Sequence, residues 1–193
     1  VSLFVNVEGL TSYNALLYIP SHTPYNLYSD TYEKGLQLYS KGIFIKDKCA
    51  ELVPDYLKFV RGLVDSDAFD LNISREILQS SPMLKKIADN VEKKIVKKLE
   101  EIKDKENEKY LKIWQNFGEF IKFGIYSSYG MKKDLLKNLL IFHSLLDENN
   151  KYISLKEYVD RLNIIEKQAI NYYEEYEQEK LKTKRSIKKS LKK

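Results

Sequence analysis

One apolar stripe near the middle of the chain limits its fold more than any other feature. After Ser81 and Pro82, apolar side chains recur at intervals of three and four residues. The members of this stripe are Leu84, Ile87, Ala88, Val91, Ile95, Leu99 and Ile102. The spacing predicts an amphipathic helix of about five or six turns, with Ser81 as its N-cap and Pro82 at the first helical position. The apolar face of such a helix has to be buried against other elements of the fold.

The residues before the stripe predict strands that can receive this face. The run 13–19 alternates Tyr13, Ala15, Leu17 and Ile19 with Asn14, Leu16 and Tyr18, which is typical of a strand. Residues 36–45 are also apolar, and Gly42 within them indicates a bulge or a close backbone approach. Residues 50–60 change to helical spacing, and a further strand is expected to begin at Leu63. The first part of the chain therefore predicts a mixed α/β fold.

Further helices are predicted after the stripe. Apolar spacing favours one helix over 108–123, ending at Gly124, and another over 131–146. A short helix is expected directly after Ser154, because Ser154 and Glu157 form the pattern of a capping box. The second half of the chain is therefore expected to be helical.

The C-terminal end differs in composition from the rest. Residues 182–193 contain seven basic side chains and no acidic one, whereas the whole chain has a net charge of +5. The remainder is therefore close to neutral, and domains that hold nucleic acid more often carry a basic patch on their folded surface. Because residues 172–193 lack an apolar face to bury, we expect them to be disordered or only marginally helical.

The sequence lacks the common self-contained catalytic motifs, including a glycine-rich phosphate loop and the HExxH, GxSxG and CxxC patterns. Cys49 is the single cysteine, which excludes an intrachain disulfide and a cysteine-based zinc site. His22 and His143 each stand without a clustered carboxylate, so no metal site is predicted. No apolar stretch is long enough for a transmembrane helix. Because the sequence opens at Val1 without a methionine, we expect it to be a piece of a longer protein.

A series of ordered sequence blocks resembles one known family. The longest extends from Leu63-Val64-Asp65-Ser66 to Leu71-Asn72-Ile73-Ser74-Arg75-Glu76-Ile77-Leu78-Gln79, and it closely resembles the ninety-kilodalton heat-shock chaperones, the family of bacterial HtpG. The other blocks are Val7-Glu8-Gly9, Ala15-Leu16-Leu17-Tyr18-Ile19-Pro20, Leu38-Tyr39, Ile43-Phe44-Ile45, Pro54-Asp55-Tyr56-Leu57, Phe59-Val60-Arg61-Gly62, Glu108-Lys109-Tyr110, Phe117-Gly118 and Ser154-Leu155-Lys156-Glu157-Tyr158. The resemblance covers about residues 1–165.

The resemblance implies the middle domain of such a chaperone. Its fold would be α/β, a three-layer αβα sandwich of the ribosomal protein S5 domain 2-like type followed by a bundle of helices. We expect residues 1–103 to form the αβα part, residues 104–168 the helical part, and residues 169–193 a charged, ragged or disordered segment. The nucleotide-binding domain and the dimerisation domain of the family would lie outside this chain.

The resemblance also implies a catalytic role for one arginine. In this family the middle domain supplies a catalytic-loop arginine that reaches the γ-phosphate of ATP, and the matching residue is Arg75, with Asn72 and Gln79 as its polar partners. A guanidinium stays protonated and presents a rigid fork of donors to phosphoryl oxygens. Without the family, the same residues also allow a structural interpretation, in which Asn72 or Ser74 caps a helix and Arg75 pairs with Glu76 or Asp67.

Three departures from the family pattern are visible. Asp70 stands where the family usually has a proline, and Lys41-Gly42 stands where it commonly carries two basic residues. The run from Leu139 to Ser144 lacks an arginine that the family has there. The first departure concerns the turn that leads into the loop of Arg75, and each of the other two weakens the expectation of one particular polar contact.

The cofactor and partners implied by the resemblance lie largely outside the chain. ATP, with magnesium, would be bound mainly by the N-terminal domain, and the full-length protein would be a homodimer that binds unfolded or partly folded client proteins. Client contacts would come from exposed aromatic or apolar residues among Tyr110, Trp114, Phe117, Tyr25, Leu27 and Tyr28. Neither nucleic acid nor a membrane is an expected partner.

Two questions stay open at this level. Residues 33–40 look more like bacterial and organellar members than eukaryotic cytosolic ones, which leaves the cytoplasm, a mitochondrion or a plastid as the location. The competing interpretation of function is a non-enzymatic binding module whose basic C-terminal tail engages nucleic acid or an anionic membrane surface.

Overall fold

A five-stranded sheet forms the centre of the first part of the molecule. The computed structural model describes residues 1–9, 11–69, 81–144 and 151–190, the last eight of these by backbone alone. The chain divides into two compact units, Val1–Leu140 and Ile141–Lys193. The strands of the first unit are β1 (Ser2–Val7), β2 (Tyr13–Tyr18), β3 (Leu36–Ser40), β4 (Ile43–Cys49) and β5 (Arg61–Asp65). Their order in the sheet is β1-β2-β5-β3-β4, and every neighbouring pair is antiparallel except β3 and β5.

The two faces of this sheet differ in burial. On one face Ala15, Leu17 and Leu38 are almost completely buried, as the alternating pattern of residues 13–19 predicts. On the other face Phe4 and Leu16, which lie opposite each other in the β1–β2 register, are exposed by 69% and 47%. The mixed α/β class is therefore confirmed, while the second helical layer of a three-layer sandwich stays a prediction.

The apolar stripe forms the helix expected of it. Helix α1 spans Pro82–Lys105, and the Ser81 Oγ accepts a hydrogen bond from the backbone N–H of Leu84. The buried residues of α1 are Leu84, Ile87, Val91, Glu92, Ile95, Val96, Leu99 and Ile102. Tyr13 of β2 donates a hydrogen bond from its hydroxyl to Asn90 Oδ1 at 2.8 Å, which ties the helix to the sheet.

A second long helix packs beside α1. Helix α2 spans Asn107–Ser127, and its Phe117 ring stacks on Phe59 with ring centroids 4.2 Å apart. The predicted stop at Gly124 is wrong, because the helix continues for three more residues. A Cβ at Gly124 would approach the Tyr56 ring to 2.6 Å, so this glycine permits close packing inside the helix.

Three other local predictions are corrected. Gly42 and Lys41 form a tight turn between β3 and β4, with φ of 75° and 51°, and not a bulge. Residues 50–60 form two short 3₁₀ turns, Ala50–Leu52 and Asp55–Leu57, because Pro54 interrupts a continuous helix. The single helix predicted over 131–146 is wrong. The described residues of this range form a short helix α3 (Lys133–Leu136), a 3₁₀ turn (Lys137–Leu139) and strand β6 (Ile141–His143).

The second unit consists of a small hairpin and one long helix. Strand β6 pairs antiparallel with β7 (Tyr152–Ser154), and α4 (Leu155–Ser190) follows. The capping box is confirmed, because the Ser154 backbone N–H donates to Glu157 Oε2 at 2.7 Å and the Glu157 N–H donates to Ser154 Oγ at 3.2 Å. The helix is much longer than predicted, since no glycine or proline follows Gly130. No helix in the described ranges is long and apolar enough to cross a membrane.

Candidate functional site

The three residues predicted to act on ATP lie close together in the sequence, between Phe69 and Ser81. Asn72, Arg75 and Gln79 lie outside the residues that the structure describes, so their predicted roles stay predictions. The structure does describe the two ends from which this segment departs, Phe69 on one side and Ser81 on the other. The geometry of these ends determines where the segment is attached to the fold.

The entry to the segment is anchored by buried hydrogen bonds. Ser40 at the end of β3 donates its hydroxyl to the Phe69 carbonyl at 2.6 Å, and the Phe69 side chain is 3% exposed. Ser66, which is 1% exposed, donates to the Ser12 carbonyl at 2.7 Å. A buried hydrogen bond is costly to break without replacement, so the chain is firmly held up to Phe69.

The exit is anchored as well, by the N-terminus of α1. The Ser81 cap and Pro82 at the first helical position fix where the helix begins. The apolar face of α1 then holds this start against the core. Both ends of the Arg75 segment are therefore connected to well-packed elements.

A basic residue lies at the same end of the sheet. β3 and β5 are parallel, so the Lys41-Gly42 turn after β3 lies beside the carboxyl end of β5. The Gly42 N–H donates to both carboxylate oxygens of Asp65, at 3.1 and 3.2 Å. The exposed Lys41 is thereby held close to the point where the chain leaves the sheet toward Arg75.

A buried polar cluster lies beneath the middle of α1. Glu92 is 5% exposed, accepts a hydrogen bond from the Tyr56 hydroxyl at 2.6 Å and forms an ion pair with Lys132. Burial, followed by the hydrogen bond to Glu92, raises the pKa of Tyr56 well above its usual value, which keeps the phenol protonated as a donor. The cluster joins α1 to the Asp55–Leu57 turn and to the loop before α3.

This cluster was not anticipated from the sequence, although the sequence holds a signal for it. Glu92 lies four residues after Ala88 and three before Ile95, within the apolar stripe. An acidic residue on a buried helix face needs a donor, and Tyr56 and Lys132 supply it.

Burial decides among the predicted client-contact residues. Tyr110, Trp114 and Phe117 are at most 5% exposed, and Leu27 is fully buried, so these four are excluded as surface contacts. Tyr25 and Tyr28 are 99% and 65% exposed. Only these two of the predicted set are available to a partner.

Other common site chemistries are not supported by the described residues. Cys49 is buried, and burial raises the pKa of its thiol to about 12, so it is not a nucleophile at neutral pH. Within the described ranges, no group of three or more His, Cys, Asp or Glu side chains is arranged to hold a metal ion.

Comparison with known proteins agrees with this architecture. The family described as "Hsp90 protein" matches residues 1–193. The chaperone protein HtpG of Clostridium botulinum (strain 657) is 48% identical over 171 residues, covering 89% of this chain and 27% of the relative. HtpG of Clostridium perfringens (strain 13) is 47% identical over 171 residues, again covering 89% of this chain and 27% of the relative.

A solved structure agrees as well. The middle domain of a Plasmodium falciparum heat shock protein superposes with a TM-score of 0.69 at 29% identity, covering 82% of this chain and 61% of that one. The chain thus spans about a quarter of the length of the curated relatives it matches. On the match of the family to its whole length, the chain belongs to the Hsp90 protein family.

Proposed function

We propose that the chain is the middle domain of an ATP-dependent molecular chaperone, and that Arg75 acts on ATP held by a separate N-terminal domain. The support comes from family membership combined with the Asn72-Ile73-Ser74-Arg75 block. The anchored ends at Phe69 and Ser81 are consistent with a segment that has to be presented to another domain.

The chemistry of Arg75 suits the transfer of a phosphoryl group. Negative charge on the γ-phosphoryl oxygens has to be stabilised in the transition state, and a guanidinium supplies fixed positive charge in a planar fork. Asn72 and Gln79 would orient Arg75 or the attacking water. Arg75 would contact the ATP, while the magnesium ion and most of the nucleotide contacts would belong to the N-terminal domain.

This division of labour makes hydrolysis depend on domain closure. An arginine supplied from a second domain stabilises the transition state only when both domains meet. The chain by itself would then neither hold ATP firmly nor hydrolyse it. In the full-length protein its partners would be the N-terminal ATPase domain and a C-terminal dimerisation domain, and the protein would be a homodimer.

Binding of unfolded or partly folded proteins is the second part of the proposal. Exposed aromatic side chains on a folded surface favour contact with apolar segments of other proteins. Tyr25 and Tyr28 meet that condition. We place the protein in the cytoplasm or in an organelle, either a mitochondrion or a plastid.

The proposal is tested by ATP turnover of the full-length protein carrying Arg75→Ala, Arg75→Lys, Asn72→Ala or Gln79→Ala. Arg75→Ala should lower kcat by up to roughly 10³-fold with little change in nucleotide affinity. Arg75→Lys should recover little of this loss, because an ammonium lacks the planar fork. The other two changes should cause smaller losses. A large loss of nucleotide affinity with unchanged kcat would contradict the assignment.

A binding module that uses its basic tail is the second candidate, and the seven basic residues of 182–193 favour it. Binding of this kind to nucleic acid or anionic vesicles would fall steeply with salt and would vanish when the chain is cut after Leu181. Binding that survives the cut would exclude the tail as its source.

A further inference from the structure

A groove of about 1140 Å³ lies in the first unit, between strand β4, helix α2 and the loop before β3. Neither the predicted ATP chemistry nor the Glu92 cluster uses it. Its lining includes the consecutive β4 residues Lys46, Asp47 and Lys48. The pairing of β4 with β3 shifts register between Leu36 and Leu38, opposite this stretch, so the regular alternation of side chains is interrupted and all three residues reach the groove.

β4 is the last strand of the sheet, and among the described residues no strand pairs with its outer side. An edge strand presents backbone N–H and C=O groups that another extended chain can pair with. The groove therefore offers main-chain hydrogen bonding along one wall.

The opposite wall is aromatic. Tyr28 stacks on Phe120 of α2 with ring centroids 5.3 Å apart, and Lys58 Nζ lies 4.9 Å from the centroid of the same Phe120 ring. Phe123, one turn further along α2, lines the groove and is 47% exposed. This wall can receive an apolar side chain of a chain that lies against β4.

The charge of the lining side chains determines which extended segments the groove favours. The groove has five acidic side chains against four lysines. Three of the lysines, Lys34, Lys46 and Lys48, already pair with carboxylates, and Lys58 lies over aromatic rings. Asp30 and Glu119 contribute to the remaining negative charge, which favours basic side chains in the bound segment.

We propose that this groove binds an extended segment of an unfolded protein, one that alternates apolar and basic residues and adds as a strand to the outer edge of β4. Backbone pairing gives affinity for many sequences, while the aromatic wall and the acidic side chains select which side chains are accepted. This inference rests on the proposed binding of unfolded proteins and gives that binding a location.

The test uses the 193-residue chain and a short fluorescent peptide of alternating Phe and Lys, with fluorescence anisotropy as the readout. Tyr28→Ser and Phe123→Ser should each weaken binding by about tenfold, whereas Tyr129→Ser, at an exposed position of the same unit but outside the groove, should leave it unchanged. Equal losses for Tyr129→Ser and Tyr28→Ser would overturn the proposal.

Two further arms examine strand pairing and charge. Peptides methylated at every second backbone nitrogen should bind in one register and fail in the other, because a paired strand directs alternate N–H groups toward its neighbour. Equal binding of both registers would contradict strand addition.

Glu119→Lys, at an exposed position, should weaken binding of the Phe/Lys peptide and strengthen binding of a Phe/Glu peptide. An unchanged preference between the two peptides would contradict the charge argument.

Suppression of aggregation of an unfolded protein separates this inference from the function on which it rests. If the chain suppresses aggregation but the peptide results are negative, the groove is wrong and the proposed function stands. If the chain binds no unfolded protein at all, the proposed function fails in this part.

Discussion

Helix α1 and the first part of α4 both carry apolar side chains at helical spacing, yet only those of α1 are covered by other elements. α1 buries eight side chains, whereas none of the described side chains of α4 is buried, and Ile165 and Tyr172 are 49% and 73% exposed. Helical spacing indicates which side chains share a face. Burial of that face against a partner surface determines whether it stabilises the helix. The same pattern therefore predicts a stable helix in one place and a marginal one in the other.

The largest expected effect comes from placing a charge in the buried stripe. Val91 is 0% exposed, and Val91→Asp would bury an unpaired carboxylate, which should lower the free energy of unfolding by about 3–5 kcal/mol. Ile165→Asp makes the same kind of change on exposed α4 and should cost less than about 0.5 kcal/mol. Urea unfolding measures both, and similar losses for the two variants would show that α4 is packed.

The Glu92 cluster should give an intermediate effect. Glu92→Gln removes the charge that pairs with Lys132 and should lower the free energy of unfolding by about 1–3 kcal/mol. Glu101→Gln is the matched control, because Glu101 pairs with Lys98 on the exposed side of the same helix and should lose less than about 0.5 kcal/mol. The thermal unfolding midpoints of the two variants test this difference. A lowered midpoint for Glu101→Gln alone would refute the role of the cluster.

The start of α4 should be sensitive to acid. The hydrogen bond from the Ser154 backbone N–H is the main cause that lowers the pKa of Glu157 below its usual 4.5. The capping contribution is therefore complete above pH 4.5 and is lost as the pH falls through the lowered pKa. An NMR titration of the Ser154 amide should have its midpoint below 4.5, and Glu157→Gln should abolish it. A midpoint at or above the usual value would contradict the capping box.

The amides at the exposed end of α4 should show the least protection from hydrogen exchange. Residues 172–190 are helical but lack a buried face among their described side chains, so their amides should exchange rapidly. Amide exchange followed residue by residue should show slow exchange at Val91 and Ile95. Strong protection across 172–190 would show that this segment is stabilised by contacts.

Sequence reasoning succeeded where one local rule decided the structure. The Ser81 cap, the stripe of α1, the alternation of residues 13–19 and the Ser154–Glu157 box all follow from spacing within a few residues. These features need no knowledge of distant contacts.

Several of its failures occurred where a distant contact decided the structure. Gly124 was expected to end a helix, yet Tyr56, far away in sequence, packs against it. Glu92 was not singled out, because its donors Tyr56 and Lys132 come from other elements. The groove required the order of the strands, which places β4 at the edge, and strand order is not encoded in local spacing.

We propose that Arg75 serves chemistry and not stability, which separates its segment from the α1 core. The most direct measurement is ATP turnover together with the thermal midpoint for full-length protein carrying Arg75→Ala or, for comparison, Val91→Asp. We predict that Arg75→Ala loses turnover at an unchanged midpoint, while Val91→Asp lowers the midpoint. Normal turnover with a normal midpoint for Arg75→Ala would contradict the catalytic role, and a lowered midpoint would favour a structural ion pair with Glu76 or Asp67.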